Sequence, residues 1–514
     1  MGKLGKRKGY RPRPEEVRIR EAQAARLAAD REEKKQWLIR AVCIAVAVLL
    51  FLFAAWGIFD VIARRTGFYL RSQVAFSTPH CTVNGAMLSY YYHEYCMAEL
   101  AENEEYYTSL GVDPQKPLDG QVYDEETGKS WKDHFADTVR ESLLRMIVFA
   151  EAAHSEGISQ TLRQTAEKAA EDTLSALQRE ATAAGLTLDA HIAALYGSGV
   201  GAEDIRAAEE LAAVAADRQT AWAAQTFTPA ERLALYEEKP ERFFVADMIA
   251  YKVQVDLDGI AYEDYRAEYL RAENRAQALA AMSDEAAFVA AMRADMQRED
   301  PSLSAYALEK AVEATYLTEI PHGAKRGYAE EWLFADGRAV GDTAVLGETG
   351  NYTVVFCRSV AAAPAYHSVT ARRLFFAYSK GNEAALLEEA KSLRETFLAD
   401  GGDGEAFAAL AIEHGEDEIA LGGGLWQSVT RADAERAVAD WLFHASRKKG
   451  DSAVIPAAFG VYFVYYAERS PYPLWEEWAI EQLLEADFAR LLEASAVTVR
   501  AGVFDTLPSV TYTL

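Results

Sequence analysis

The sequence predicts an α+β protein whose domains follow one N-terminal transmembrane helix. Three observations carry that expectation: a nineteen-residue run without charge at 41–59, a nearly all-helical stretch at 86–226, and a strand–helix–strand pattern that occurs twice at an offset of 109 residues. A chain of 514 residues has room for several domains of roughly 100–200 residues each. Half of the residues are hydrophobic and 26% are charged, a balance that supports folded cores and excludes a disordered polymer.

The net charge of −26 is unevenly distributed. Residues 1–36 carry twelve Lys and Arg against six Asp and Glu, whereas the remaining 478 carry 41 against 73. An acidic chain of this kind is a poor match for nucleic acid, whose phosphates require clustered positive charge. Between the two segments lies the run "AVCIAVAVLLFLFAAWGIF". At about 1.5 Å per residue it spans roughly 28 Å, close to a bilayer hydrocarbon core. Trp37, Arg40, Trp56 and Asp60 sit at its ends, where amphipathic and charged side chains reach the interface. No small-residue cleavage site follows cleanly, so the expectation is an uncleaved signal anchor over 37–62 rather than a signal peptide. The basic tail at 1–36 then faces the cytoplasm and the acidic body lies outside the cell membrane.

Downstream, "TVNG" (82–85) reads as a short apolar element and a turn, because Asn-Gly favours tight turns. Helical periodicity follows over 86–102, then a Gly/Pro/Asp-rich loop at 107–130. A strong amphipathic helix begins at Trp131 and ends near Gly157, and two Ala/Glu-rich helices cover 160–184 and 203–226. At Phe243 the pattern changes to aromatic and β-branched residues, which favour strands. Strands are expected near 242–255, 351–360, 372–379 and 460–468, with helices over 261–281, 284–297, 302–315, 382–398 and 404–414.

The repeat is visible in the letters. "WLFADGRAVGDTAVL" (332–346) and "WLFHASRKKGDSAVI" (441–455) share eight of fifteen positions, and the same offset aligns Asn351 with Gly460 and Val355 with Val464. Two copies of one domain account for this.

Residues 372–469 resemble a parvulin-type (PpiC, rotamase) domain. The matching segments are "RRLFFAYS", "FAALAIEHGEDEIALGGGLW" and "VADWLFHASRKKGDSAVIPAAFGVYFVYY", with Asp417 five residues before Gly422-Gly423 and then Leu425. Residues 80–240 are similar, more loosely, to the helical chaperone domain of SurA- and PrsA-type foldases. The similarity rests on "TVNGAMLSYYYHEY", "SWKDHFADT", "LLRMIVFAEAAHSEGIS" and the linker-like "FTPAERLALYEEKPERFF". The implied architecture is a basic tail (1–36), an anchor (37–62), a helical SurA-N-like chaperone domain (80–240), two tandem degenerate parvulin-like domains (241–360 and 361–470), and a C-terminal helix and tail (471–514).

The resemblance implies prolyl isomerisation, which lowers a barrier of about 18–20 kcal/mol without breaking covalent bonds. It also implies a groove with two histidines around an acidic or thiol group. The acidic position is Asp417, but Arg373 and Tyr462 stand where the histidines belong. Substrate-contacting positions fall on Leu425, Val438, Phe443 and Tyr462, with Ala434 near the ring-holding shelf. The first repeat has no Gly-Gly-x-Leu turn between Met282 and Glu330 and receives no catalytic set. The expected function is therefore an extracytoplasmic folding factor that binds unfolded or proline-containing polypeptides with weak or absent isomerase activity. An active isomerase and a membrane scaffold for one fixed partner are the alternatives.

Other constellations are weaker. His80, Cys81, His93 and Cys96 lie within seventeen residues, but their spacing fits no common zinc pattern. Buried free thiols are expected there, with a Cys81–Cys96 disulfide as the alternative. "YYYHEY" (90–95) and "YFVYY" (462–466) supply either groove walls or ordinary core. "ALGGGLW" lacks the Lys-Ser/Thr of a phosphate loop, and no Gly-x-Ser-x-Gly elbow occurs. No cofactor is expected.

Overall fold

The computed structural model describes residues 26, 37, 45–63, 66–113, 116–324, 327–347, 350, 352–379, 381–399, 401–415 and 417–508. The basic tail apart from Arg26, and positions 38–44 of the expected anchor, lie outside the described residues. Two compact units emerge: one of residues 1–224 with 488–514, the other of residues 225–487.

In the first unit, α1 (Ala45–Ala63) is nineteen residues long, has a mean hydropathy of 2.4 over its most apolar window and buries none of it against protein. It is the one helix among the described residues long and apolar enough to cross a membrane. Then come α2 (Phe68–Ser72), β1 (Val74–Ser77), β2 (Thr82–Asn84), α3 (Gly85–Glu102) and α4 (Glu104–Ser109). The Asn-Gly pair is no hairpin turn: the Asn84 side chain accepts from the amides of Ala86 and Met87 and starts α3, the usual role of an N-cap side chain. A small hairpin, β3 (Val122–Asp124) and β4 (Lys129–Ser130), interrupts the stretch expected to be loop.

Helix α5 (Trp131–Glu156) opens with a Ser130–Asp133 capping box and ends at Gly157 with φ 94°. Helices α6 (Gln160–Ala183), α7 (Leu188–Tyr196) and α8 (Ala202–Ala223) complete the bundle. The nine-residue α7, capped by Thr187, was hidden in the sequence between two glycine-marked turns.

The tyrosines at 90–92 are tied to this bundle. Tyr90 and Tyr92 are buried, the Tyr90 hydroxyl donates to Glu209, and the Tyr91 hydroxyl donates to the Ala208 carbonyl, both at 2.5 Å. Cys81 and Cys96 are both buried free thiols. Burial pushes Cys81 up to about 11 and Cys96 up to about 12, so neither is a ready thiolate. His80 pairs instead with buried Glu151 at 2.7 Å. No group of three or more His, Cys, Asp or Glu among the described residues could hold a metal ion.

The second unit opens with α9 (Pro229–Glu238), β5 (Val245–Val253), α10 (Tyr265–Ala280), α11 (Glu285–Glu299), α12 (Ala305–Glu313), β6 (Tyr316–Pro321), α13 (Tyr328–Leu333), β7 (Thr343–Leu346) and β8 (Tyr352–Cys357). It continues with β9 (His367–Ala377), α14 (Glu383–Ala399), α15 (Gly404–His414), α16 (Glu418–Leu421), β10 (Leu425–Val429), α17 (Arg436–Leu442), β11 (Ser452–Pro456) and β12 (Gly460–Pro473). Two four-stranded antiparallel sheets result, ordered β6-β5-β8-β7 and β10-β9-β12-β11. Both have the same strand order, three helices after the first strand, and one helix after the second.

The shared letters have a physical cause. In the first sheet the Arg338 guanidinium lies 4.0 Å from the Trp332 ring centroid and 3.2 Å from Asp342. In the second, Arg447 lies 4.6 Å from Trp441 and 3.6 Å from Asp451. Asp342 accepts from the Ala339 amide, and Asp451 from that of Lys448. Gly341 and Gly450, at φ 89° and 95°, donate to the carbonyls of Cys357 and Tyr466. Trp, Arg, Gly and Asp thus build the same turn twice, and glycine is the residue that enters this left-handed region cheaply. Glu319 and Ser428, also 109 apart, both take positive φ at 52° and 50°. They sit where each outer strand slips register, a likeness the letters do not reveal.

The final helix, α18 (Leu474–Ala494), starts in the second unit, and its residues from Phe488 belong to the first. There Phe488 packs 5.4 Å from Phe149 under the Arg145 guanidinium. The closing strand β13 (Thr498–Val499) pairs with β1. The C-terminal segment therefore completes the first unit's sheet instead of forming a separate tail.

One face of the second sheet buries Phe397, Phe407 and Phe463 completely. Replacing Phe463 by Ala should cost about 3–5 kcal/mol, read as an earlier transition of the second unit in chemical denaturation monitored by hydrogen exchange.

Candidate functional site

The central strands β9 and β12 pair Phe375 with Tyr462 and Arg373 with Val464. Directly paired residues project to one side of a sheet, and positions two apart share a face. Arg373, Phe375 and Tyr462 therefore stand on the face that also packs α17.

Each has a defined surrounding. The Arg373 guanidinium makes a 2.9 Å ion pair with Asp417 Oδ2 and lies 5.4 Å from the Trp426 ring centroid. The other Asp417 oxygen accepts from the Ala420 amide at 2.8 Å and so caps α16. Phe375 and Tyr462 are tilted rings 4.7 Å apart. Gly424 lets the chain pass close to β9: at φ 71°, a Cβ there would lie 2.7 Å from the Arg373 carbonyl oxygen, whose own amide donates back to the Gly424 carbonyl. The glycine-rich turn thus places α16 and Asp417 beside Arg373.

Glu435 completes the group. One of its oxygens accepts from the amides of Ala458 and Phe459 at 2.6 and 3.0 Å. The other is sealed from solvent with no hydrogen-bond partner among the described residues, and the nearby Tyr462 hydroxyl partly offsets the burial of the carboxyl. Burial raises the Glu435 carboxyl above its usual value. Burial first, and then Glu435, raise the Tyr462 phenol, which therefore stays a protonated donor at neutral pH. The result is two polar pairs on one side of the sheet, Asp417–Arg373 and Tyr462–Glu435, flanked by aromatic rings.

A cavity of about 520 Å³ opens beside it, lined by Phe375, Ala434, Glu435, Phe459 and Tyr462 and, from the first repeat, Glu313, Tyr316 and Thr318. Of the expected substrate positions, Tyr462 and the shelf residue Ala434 line this cavity. Val438 is wholly buried in the core behind α17. Phe443 packs edge-on against Tyr366 at 5.0 Å and borders a different cavity, of about 440 Å³. Leu425 pairs with Arg372 and so lies on the opposite side of the sheet from Arg373. His414 ends α15 and His444 bonds to Ser446.

Phe375 was legible from the two-residue spacing after Arg373. Glu435 was not, because its partners arrive from the turn before β12. In the first repeat, Ala250 pairs with Val355 and Lys252 with Thr353. At the offset of 109, Val355 and Thr353 match Val464 and Tyr462, so Ala250 and Lys252 occupy the strand positions of Arg373 and Phe375, and the Arg373–Asp417 and Tyr462–Glu435 pairs are not repeated.

Replacing Gly424 by Ala should cost about 1–3 kcal/mol and weaken the Arg373–Asp417 pair, seen as faster exchange of the Arg373 amide. Because the folded Glu435 carboxyl lies above its usual 4.5, its contribution to stability is present below that pH and is lost as pH rises through the folded value. Glu435→Gln should therefore gain stability relative to the parent between pH 4.5 and neutrality, measured by denaturation across that range.

A search of curated proteins returns no match to the chain. A family model, the PPIC-type PPIase domain, matches residues 355–470, a span that contains β9 to β11, most of β12, the Arg373–Asp417 pair and the Tyr462–Glu435 pair. The chain thus carries a parvulin-like, PPIC-type PPIase domain at residues 355–470.

Proposed function

We propose that this protein is a membrane-anchored folding factor that holds unfolded, proline-containing polypeptides outside the cell membrane, with an isomerase site that has lost most of its catalytic power. One observation carries the reading. In a PPIC-type domain, the positions expected to hold two imidazoles carry an arginine locked to Asp417 at 2.9 Å and a tyrosine facing Glu435. Neither is free to exchange roles with a twisting amide as a pair of neutral imidazoles could. The aromatic cavity nevertheless remains, suited to binding a proline ring.

Support for the anchor is α1, apolar and unburied over nineteen residues, with the basic excess of residues 1–36 ahead of it. The helical unit is assigned the SurA-N-like chaperone role, and the first repeat is assigned as a second, degenerate parvulin-like domain on the strength of its matching sheet order. The acidic body favours neutral or basic clients through charge complementarity.

The open cavity supports a second reading, an active isomerase in which the Tyr462 hydroxyl donates to the twisted amide. A protease-coupled proline-peptide assay on the full-length protein in detergent separates the two. We expect turnover at least about tenfold, or about 1.4 kcal/mol, below that of an active parvulin and little changed by Asp417→Ala. Full parvulin-like turnover that Tyr462→Phe abolishes establishes the second reading. In parallel, the protein should suppress aggregation of several unrelated unfolded clients; protection of a single protein only points to a scaffold.

A further inference from the structure

The 520 Å³ cavity of the second repeat is not built by that repeat alone. Glu313, at the end of α12, holds Arg436 twice: one carboxylate oxygen accepts from the Arg436 backbone amide at 2.9 Å and the other from its Nε at 2.7 Å. Tyr316, the first residue of β6, lies face-on beneath the same guanidinium, 3.4 Å from ring centroid to Cζ. Further along the rim, Glu319 accepts from the Ala432 amide at 3.2 Å and from the Tyr366 hydroxyl. Tyr366 in turn accepts from the Arg431 amide at 3.1 Å. The segment 431–436, which carries cavity residues Ala434 and Glu435, is thereby tied at both ends to carboxylates of the first repeat.

The charges matter as much as the ties. Arg431 and Arg436 are the cations lining the cavity. Arg436 is neutralised by Glu313, whose side chain is only 12% exposed, and Arg431 is stacked over Tyr366 at 4.8 Å. Without Glu313, the Arg436 side chain, itself one-third exposed, would present an unpaired guanidinium to the cavity, and a guanidinium is a strong partner for carboxylates.

We propose that Glu313 and Tyr316 are specificity-determining residues of the second repeat's groove: they mask Arg436 and so deny acidic residues a partner beside the bound proline. The first repeat, which lacks the polar pairs of its neighbour, thereby serves the neighbour's site. This inference rests on the reading that the cavity receives proline-containing peptide.

The test uses the full-length protein and two fluorescent peptides that differ only in carrying Glu or Lys before proline, with dissociation constants read by anisotropy. Wild type should bind the Lys peptide at least as tightly as the Glu peptide. Glu313→Gln should shift the ratio of constants toward the Glu peptide by about threefold, and Glu313→Gln combined with Arg436→Gln should return it to the wild-type value. A change confined to stability would move both peptides together, so an unchanged ratio in Glu313→Gln overturns the assignment. Binding of neither peptide by wild type overturns the peptide-groove reading instead. In that case amide exchange decides whether Glu313 holds the rim: faster exchange at Arg436 in Glu313→Gln sustains the tie, and unchanged exchange removes it.

Discussion

Everything at the candidate site depends on the antiparallel register between β9 and β12. That pairing sets Phe375 against Tyr462 and Arg373 against Val464. A slip of one residue would send all of them to the opposite face, because side chains alternate along a strand. The register is fixed from both sides of the sheet. Phe397, Phe407 and Phe463 fill one face, and Val438, Leu442 and Val464 fill the other. Hydrophobic burial on two faces thus decides where the two polar pairs can stand.

An arginine–carboxylate pair is fixed in charge and geometry. Arg373 is further held by Trp426 and Phe375 rings within 6 Å, so it stabilises the fold of the turn that carries Asp417. The Tyr462–Glu435 pair is shielded by burial in the same way. Aromatic rings and polar pairs thus share one face of the sheet.

The two repeats share one architecture with different side chains at the candidate site. Both preserve the Trp–Arg–Asp clasp and its glycine, which close the turn between the short helix and the hairpin that follows it. They differ where a site would form, since Ala250 and Lys252 in one stand for Arg373 and Phe375 in the other. The first repeat keeps the fold and contributes Glu313, Tyr316 and Glu319 to its neighbour's rim.

Much was determined by the sequence alone, wherever the physical cause was local. The uncharged run specifies a helix that can span a bilayer, the periodicity of 131–156 specifies an amphipathic helix, and the fifteen-residue block specifies a repeated turn because its own residues bond to one another. Asp417, Arg373 and Tyr462 could be named through the resemblance to parvulin-type domains; the fold pairs Arg373 with Asp417 and puts Tyr462 on the same sheet face as Arg373. Short strands such as β6 and β10 were not legible, because their partners lie across helices and their backbone kinks at Glu319 and Ser428 leave no signature in residue type. Leu425 and Val438 had the right chemistry, but strand alternation turned one away from the site and core packing buried the other. Only the tertiary structure decided that the C-terminal segment completes the first unit and that Glu435, Tyr316 and Glu313 belong to the groove. Those contacts join residues more than a hundred positions apart or from different elements, and no local pattern encodes which distant surface a side chain will meet.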